Sequence, residues 1–445
     1  CLAHMSGNEM RYIQEAFDTN WVVPLGPNVN GFEDDLKRFV TSSCSSYKDV
    51  VSHRNEEYPQ TILPHENNPE SLWRDPIKGL EDKHVVALCS GTAAVHLALI
   101  ALGVEAGDEV ICQSFTFCAS SHPVTYQGAT PVFVDSEKET WNMDPVLLEE
   151  AIKDRIAKTG KKPKAIIVVY LYGMPAKIKE ILAIADKYDI PVVEDAAEGL
   201  GSRYDGQVCG TFGEYGVLSF NGNKMITTSG GGALICPNEA ARNDVMFYAT
   251  QAREGYPYYQ HEKIGYNYRM SNVCAGIGRG QMTVLDEHIA HHRHIAHLYE
   301  EAFKKIEGID FHANPSSEYD SNYWLNTITI DPLIKVRGQE NAYKTTVKGA
   351  VGGAAGVIHA VDSAHTDCEP NTNVEAMRVF LDKANIESRP LWKPMHKQPC
   401  YKDCPAYLNG VSESLFSKGM CLPSGPLVTD DDVRYIVETI QAAIE

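Results

Sequence analysis

Residues 85–103 read VVALCSGTAAVHLALIALG, and they set the fold class. The apolar run 85–89 is short and unbroken, as a buried strand is. From 92 to 102 the spacing changes: Val95, Leu99 and Leu102 fall on one helical face, and Gly103 ends it. Ser90 and Gly91 join the two, so a helix begins just past a strand's carboxyl end. The alternation continues outward to residue 237. Residues 109–115, 131–135, 165–171, 191–194 and 217–220 are expected as strands, and 149–156 and 178–188 as helices. Such alternation predicts an α/β fold whose mostly parallel central sheet is covered on both faces. Ligands of these sheets gather at the carboxyl ends of the strands. Gly91, Phe117, Asp195 and Ser219 all fall just past one.

After about residue 275 the pattern changes. A long polar helix from Met282 to about Ile306, a strand at 324–330, a helix at 374–384 and a last helix from Asp430 predict a smaller α+β domain. The expected division is 1–280 for a large domain with an N-terminal arm, and 281–445 for the small one. Residues 41–82, rich in Ser, Asn, Glu and Pro, fit neither domain; nor do residues 335–366, with their Gly/Ala run. Both are read as insertions or long loops.

A chain of 445 residues, 43% apolar, has enough material for two well-buried domains. A net charge of −19 argues against nucleic acid as a partner, while leaving room for a small anion in a locally positive pocket. No stretch approaches the roughly 18 consecutive apolar residues of a membrane span. No signal peptide is visible, and the cytoplasm is the expected location. The chain opens on Cys1 rather than Met, and a short N-terminal piece is expected to be missing. The 12 cysteines are scattered without CxxC pairs, and are read as reduced thiols rather than a disulfide or metal framework.

The chemistry centres on SFNGNKMITTSGGG (219–232), where Lys224 stands among Ser and Gly, 29 residues after Asp195. A lysine amine that forms a Schiff base with an aldehyde, and an acid that keeps a pyridine nitrogen protonated, are what a pyridoxal phosphate enzyme needs. Ser90-Gly91-Thr92 supplies a phosphate cradle in form, because the first N–H groups of a helix have no internal partner. An ordinary turn with Thr92 near the N-cap is the plain alternative. Asp195 is alternatively an N-cap, and Glu198, three residues on, the far half of a capping box. Phe117 either stacks on a planar ring or packs in the core. Gly265-Tyr266-Asn267-Tyr268-Arg269 offers an amide and a guanidinium, and 389–396 is a polar and aromatic cluster. His288, His291, His292, His294 and His297 crowd one helix, but no HExxH pattern or carboxylate pair completes a metal site, so a polar helix face is expected.

Together these stretches resemble a known family. SGTAAVHLAL (90–99), SFTF (114–117), VEDAAEGLGS (193–202), SFNGNKMITTSGGG (219–232) and GYNYRMSN (265–272) are similar to the DegT-type sugar aminotransferases, which are fold-type I pyridoxal phosphate enzymes of the aspartate aminotransferase-like class. Residues 4–27, 251–272, 389–399 (RPLWKPMHKQP) and 418–425 resemble the bacillosamine-type branch, which aminates C4 of UDP-linked 4-keto-6-deoxy-N-acetylhexosamines. The resemblance implies Lys224 as the Schiff-base lysine and Asp195 as the pyridinium partner. It implies Phe117 stacked on the ring with Glu198 near it, and Gly91, Thr92 and Ser219 on the phosphate. Asn267 would reach that phosphate from the second subunit of a homodimer with shared active sites. Trp392 and His396 would border the sugar nucleotide. L-glutamate is the implied donor, with bacterial surface or capsular glycan as the destination. Other readings stay open: a C3 aminotransferase, one for a dTDP- or GDP-linked sugar, or a non-catalytic pyridoxal phosphate-binding regulator.

Overall fold

The computed structural model describes residues 2–42, 77–343 and 368–445, so most of both expected insertions lies outside the described residues. The strands of the first part are β1 (His84–Leu88), β2 (Glu109–Gln113), β3 (Thr130–Val134), β4 (Ala165–Val169), β5 (Val192–Asp195), β6 (Arg203–Tyr204), β7 (Gln207–Val208), β8 (Tyr215–Ser219) and β9 (Gly232–Cys236). Those of the second are β10 (Ile309–Phe311), β11 (Tyr319–Asp320), β12 (Asn326–Ile330), β13 (Arg389–Pro390), β14 (Ala406–Tyr407) and β15 (Gly419–Leu422). The large sheet runs β1-β9-β8-β5-β4-β2-β3-β14.

Along the sheet's centre, side chains alternate between two cores, as the period of a strand requires. Ile111, Ile166, Val168, Val192 and Leu218 face one core, with Phe32, Leu36, Leu148 and Ile181 from the covering helices. Val110, Cys112, Ile167, Val193 and Val217 face the other, with Val95, Leu97 and Val124. Burial on both faces is why these strands read as unbroken apolar runs. Most pairings are parallel. The exception is β9, antiparallel to both β1 and β8. Ser219 pairs with Gly232, so β8 and β9 close the loop that carries Lys224 at its base.

Two further helices form the N-terminal arm, Glu9–Asp18 and Pro27–Thr41. They pack on Asn272–Met282, a helix the sequence pattern did not reveal. The expected long helix from Met282 is observed as Leu285–Phe303, separate from it. Gly278 and Gly280 explain both the contact and the oversight. A Cβ on Gly280 would come 2.7 Å from the Glu9 nitrogen, and one on Gly278 2.7 Å from the Phe32 ring. Glycines weaken a helix on propensity grounds, so the pattern signals a break where close packing is the reason for them.

In the second part, β10-β12-β15-β13 form an antiparallel sheet. Ile328, Ile330 and Met420 share a core with Ile295 and Tyr299 of Leu285–Phe303, Leu381 of Thr372–Lys383 and Ile436 of Asp430–Ala443. The chain between β13 and β15 does not stay there. Met395 N–H donates to the Ser114 carbonyl at 2.8 Å, and β14 adds to the large sheet beside β3. That excursion carries Trp392 to the strand ends of the large sheet.

Candidate active site

Four strand ends converge. Ser90 is the N-cap of Gly91–Ala101, its Oγ accepting the Ala93 N–H, so Thr92 is the second helical residue, near the cap as expected. Beside it stands Ser219, the last residue of β8. A Cβ on Gly91 would sit 3.1 Å from the Ser219 Cβ and 3.4 Å from its Oγ, and one on Gly232 would come 2.4 Å from the Gly91 nitrogen. Glycine at both positions lets a helix start, a hydroxyl and a strand end meet at one point. Free N–H groups and the helix dipole there suit a phosphate.

Asp195 ends β5, one strand over from Ser219. No helix follows it, so the N-cap and capping-box alternatives for Asp195 and Glu198 fall away. Asp195 is 5% exposed. Its Oδ2 accepts the Ser120 hydroxyl at 2.6 Å and its Oδ1 the Ala197 N–H at 3.1 Å. Burial raises this carboxyl, opposed by those two donors and by Lys224. Glu198 is as deeply buried. Its Oε2 accepts the Tyr172 N–H at 2.7 Å, and its Oε1 lies 3.5 Å from Lys224 Nζ. Burial pushes the Glu198 carboxyl up to about 7, against the pull of Lys224 and the Tyr172 N–H.

Lys224 is held from two sides. Its Nζ stands 4.1 Å from the centre of the Trp324 ring, a favourable cation–π distance. Trp324 Nε1–H donates to the Asn223 carbonyl at 2.7 Å, which ties the lysine's loop to the second part of the chain. Trp392 completes an aromatic wall, with its ring 6.3 Å from Trp324, 5.1 Å from Tyr172 and 5.4 Å from Phe117. Phe117 is 55% exposed, which sets aside the core-packing alternative. Tyr172 spans the wall: its phenol oxygen accepts the Trp392 N–H at 2.9 Å. Its backbone is left-handed (φ 56°, ψ 13°), a conformation that costs a non-glycine residue about 1–3 kcal/mol. Sequence reasoning missed Tyr172, Trp324 and Ser120. Only Tyr172 carried a signal, its place just past β4.

Other expected residues lie outside this cluster. Asn267 is exposed, and its chain partner is Thr250. Arg269 is not free for an anion: its Nη1 donates to Glu33 Oε1 at 2.7 Å and to the Ala87 carbonyl at 2.9 Å. This buried pair pins the 265–269 ribbon to β1. His396 has both ring nitrogens engaged, Nδ1 with Ser114 Oγ at 2.7 Å and Nε2 with Glu413 Oε1 at 3.1 Å. A sugar hydroxyl would have to displace one of them. The histidine-rich helix departs from the expected polar face. His288 and His292 are buried and meet the Met225 and Tyr323 carbonyls, and burial pushes them down to about 4 and about 3. Their rings tie Leu285–Phe303 to the lysine loop and the Tyr323 turn. A cleft of about 690 Å³ between Trp141, His312 and Lys418 contains none of the expected site residues.

The chain is similar to known proteins in sequence and in fold. A model of the DegT/DnrJ/EryC1/StrS aminotransferase family matches residues 77–339 and 340–441. The chain is 40% identical over 441 residues to the "Putative pyridoxal phosphate-dependent aminotransferase EpsN" of Bacillus subtilis (strain 168), covering 98% of this chain and 93% of that one. It is 30% identical over 436 residues to the GDP-perosamine synthase of Escherichia coli O157:H7, covering 98% and 95%. Among solved structures, a DegT DnrJ EryC1 StrS aminotransferase from Brucella abortus matches with a TM-score of 0.75 at 24% identity, covering 98% of this chain and 95% of that one.

Proposed function

This chain belongs to the DegT/DnrJ/EryC1/StrS aminotransferase family, and we propose that its reaction is transfer of the amino group of L-glutamate to the C4 ketone of a UDP-linked 4-keto-6-deoxy-N-acetylhexosamine. Membership makes it a pyridoxal phosphate-dependent sugar aminotransferase with the fold-type I architecture. The finer assignment rests on the stretches at 4–27 and 389–399, whose likeness is to the UDP-amino-sugar branch, with surface or capsular glycan synthesis as the setting.

One observation carries the chemistry: Lys224 Nζ lies beside a buried carboxylate and an indole face, with Asp195 and the Gly91–Ser219 cradle at the same strand ends. A molecule with a phosphate, a basic ring nitrogen and an aldehyde finds a partner for each there. Gly91, Thr92 and Ser219 would hold the phosphate, Asp195 the ring nitrogen, Phe117 a ring face and Lys224 the aldehyde carbon. When bound, pyridoxal phosphate supplies a carbon that accepts amino groups and a ring that draws electrons from it. Lys224 supplies the amine that moves a proton at Nζ. Asp195 holds charge on the ring nitrogen. Phe117 and Trp392 shield the site from water. Trp392 and His396 form the acceptor side, His396 by anchoring the segment at Ser114.

The acceptor is tested with a panel. With glutamate, UDP-2-acetamido-2,6-dideoxy-4-keto-hexose is expected to give a product whose new amine is on C4 by NMR. A dTDP-linked 4-keto-6-deoxyglucose is expected to react about a hundredfold more slowly in kcat/KM, because it leaves polar groups of the site unpaired. A higher kcat/KM for the dTDP sugar, or for a GDP-linked one such as the relative's name suggests, would sink the UDP assignment and leave the family untouched.

A homodimer with shared sites belongs to the same proposal. Asn267 is exposed in the single chain, and Trp21, Val22, Val23 and Leu25 of the arm, with Tyr258, Tyr259 and Ile264, are uncovered apolar surface. Sedimentation is expected to show a dimer or a larger even assembly, and Asn267→Ala to weaken pyridoxal phosphate binding about tenfold, the order of one lost hydrogen bond to a charged group. A fully active monomer would contradict the shared site.

A further inference from the structure

Glu198 is more than a wall of the site. Both oxygens are in use: Oε2 takes the Tyr172 N–H at 2.7 Å, and Oε1 faces Lys224 Nζ at 3.5 Å. The carboxylate is 4% exposed and the lysine 13%, so water is largely excluded from the pair. A group needed only to accept the Tyr172 N–H would be as well served by an amide, which carries no exchangeable acid proton. Tyr172 holds a strained left-handed backbone at the very residue whose N–H fixes Oε2, and strain of this kind persists where surrounding structure over-determines it.

We propose that Glu198 is a catalytic group that takes the proton from the Lys224 ammonium and returns it, with Tyr172 as the positioning residue that aims the accepting oxygen. The inference rests on Lys224 being the amine that moves the proton. In the forward step the Nζ–H bond breaks, its electron pair stays on nitrogen, and an O–H bond forms at Oε1. The reverse step restores both, and no further reactant is needed. The free amine is then a base, and the neutral acid costs less in a buried place than a carboxylate would. The charged and titratable groups around Glu198 are Lys224 from its loop, Asp195 from β5, the Tyr172 phenol and Cys421 of β15. Burial is the largest influence and raises the carboxyl to about 7, near where exchange with working solution is level.

Glu198→Gln keeps the shape and the bond to Tyr172 N–H. It is expected to load cofactor and to slow the half-reaction with glutamate about a hundredfold, the usual effect of losing a general acid–base group. In the parent enzyme the rate should fall as pH drops through about 7, because protonated Glu198 accepts nothing. That acid limb should be missing from Glu198→Gln and retained, at lower rate, by Glu198→Asp. Infrared spectra of the cofactor-free protein give a second readout. A protonated-carboxyl band should grow in the parent as pH falls through about 7 and be absent from Glu198→Gln. A Glu198→Gln enzyme within about threefold of the parent, with the same acid limb, would overturn the proposal, and so would a parent without the band. Lys224→Ala separates the two readings. An inert Lys224→Ala beside a fully active Glu198→Gln defeats this inference alone, whereas an active Lys224→Ala defeats the assignment beneath it.

Discussion

Lys224→Ala is expected to leave a folded protein that still binds pyridoxal phosphate and has lost transamination by at least about a thousandfold, since one side chain supplies both nucleophile and base. The fold should survive because the side chain's described partners are few: the Glu198 carboxylate and the Trp324 ring. Removing the amine strips Glu198 of a group that holds its carboxyl down. The acid then neutralises rather than remaining as a buried, unpaired charge. Trp324 keeps its hold on the loop through the Asn223 carbonyl. Cofactor binding should weaken without vanishing, because the Gly91–Ser219 cradle and Asp195 are untouched. Formation of 2-oxoglutarate from glutamate, followed beside a calorimetric titration with pyridoxal phosphate, checks both halves. Turnover near the parent's would remove Lys224 from its role.

Asp195→Asn is expected to lower turnover by a hundredfold or more, about 2.7 kcal/mol of lost stabilisation. The substitution is nearly isosteric. The amide oxygen still accepts the Ala197 N–H, and the amide nitrogen can donate to Ser120 Oγ after its hydroxyl turns. What disappears is negative charge in a site from which water is excluded, where charge counts for most. Asp195 is 5% exposed, so solvent cannot replace it. Near-normal turnover with cofactor bound would free Asp195 from the ring nitrogen.

The sequence displayed the parts of this molecule that are local and missed those made by distant contacts. Strands β1 to β5 and β8 were visible because burial on both faces writes an unbroken apolar run. Asp195, Glu198 and Lys224 were visible because the strand ends and loop that carry them are short. β9 was hidden by the glycines before it, which read as loop, though Gly232 is there to let Gly91 pass. Asn272–Met282 was hidden for a similar reason, since Gly278 and Gly280 look like helix breakers until Phe32 and Glu9 are seen against them. The histidine helix misled in the opposite sense. Its rings looked like a solvated face, yet His288 and His292 find carbonyl partners 63 and 31 residues away. Tyr172 sits just past β4, but its bond to the Trp392 N–H, like the hold of Trp324 on the Asn223 carbonyl, is a distant contact that no periodicity encodes.

Which residue joins the cofactor decides the assignment of Lys224. Protein loaded with pyridoxal phosphate is reduced with borohydride, digested, and mapped by mass spectrometry. A pyridoxyl group is expected on the peptide containing Lys224 and on no other lysine, and none in Lys224→Ala. A label on a different lysine, or none on the parent protein, would contradict it.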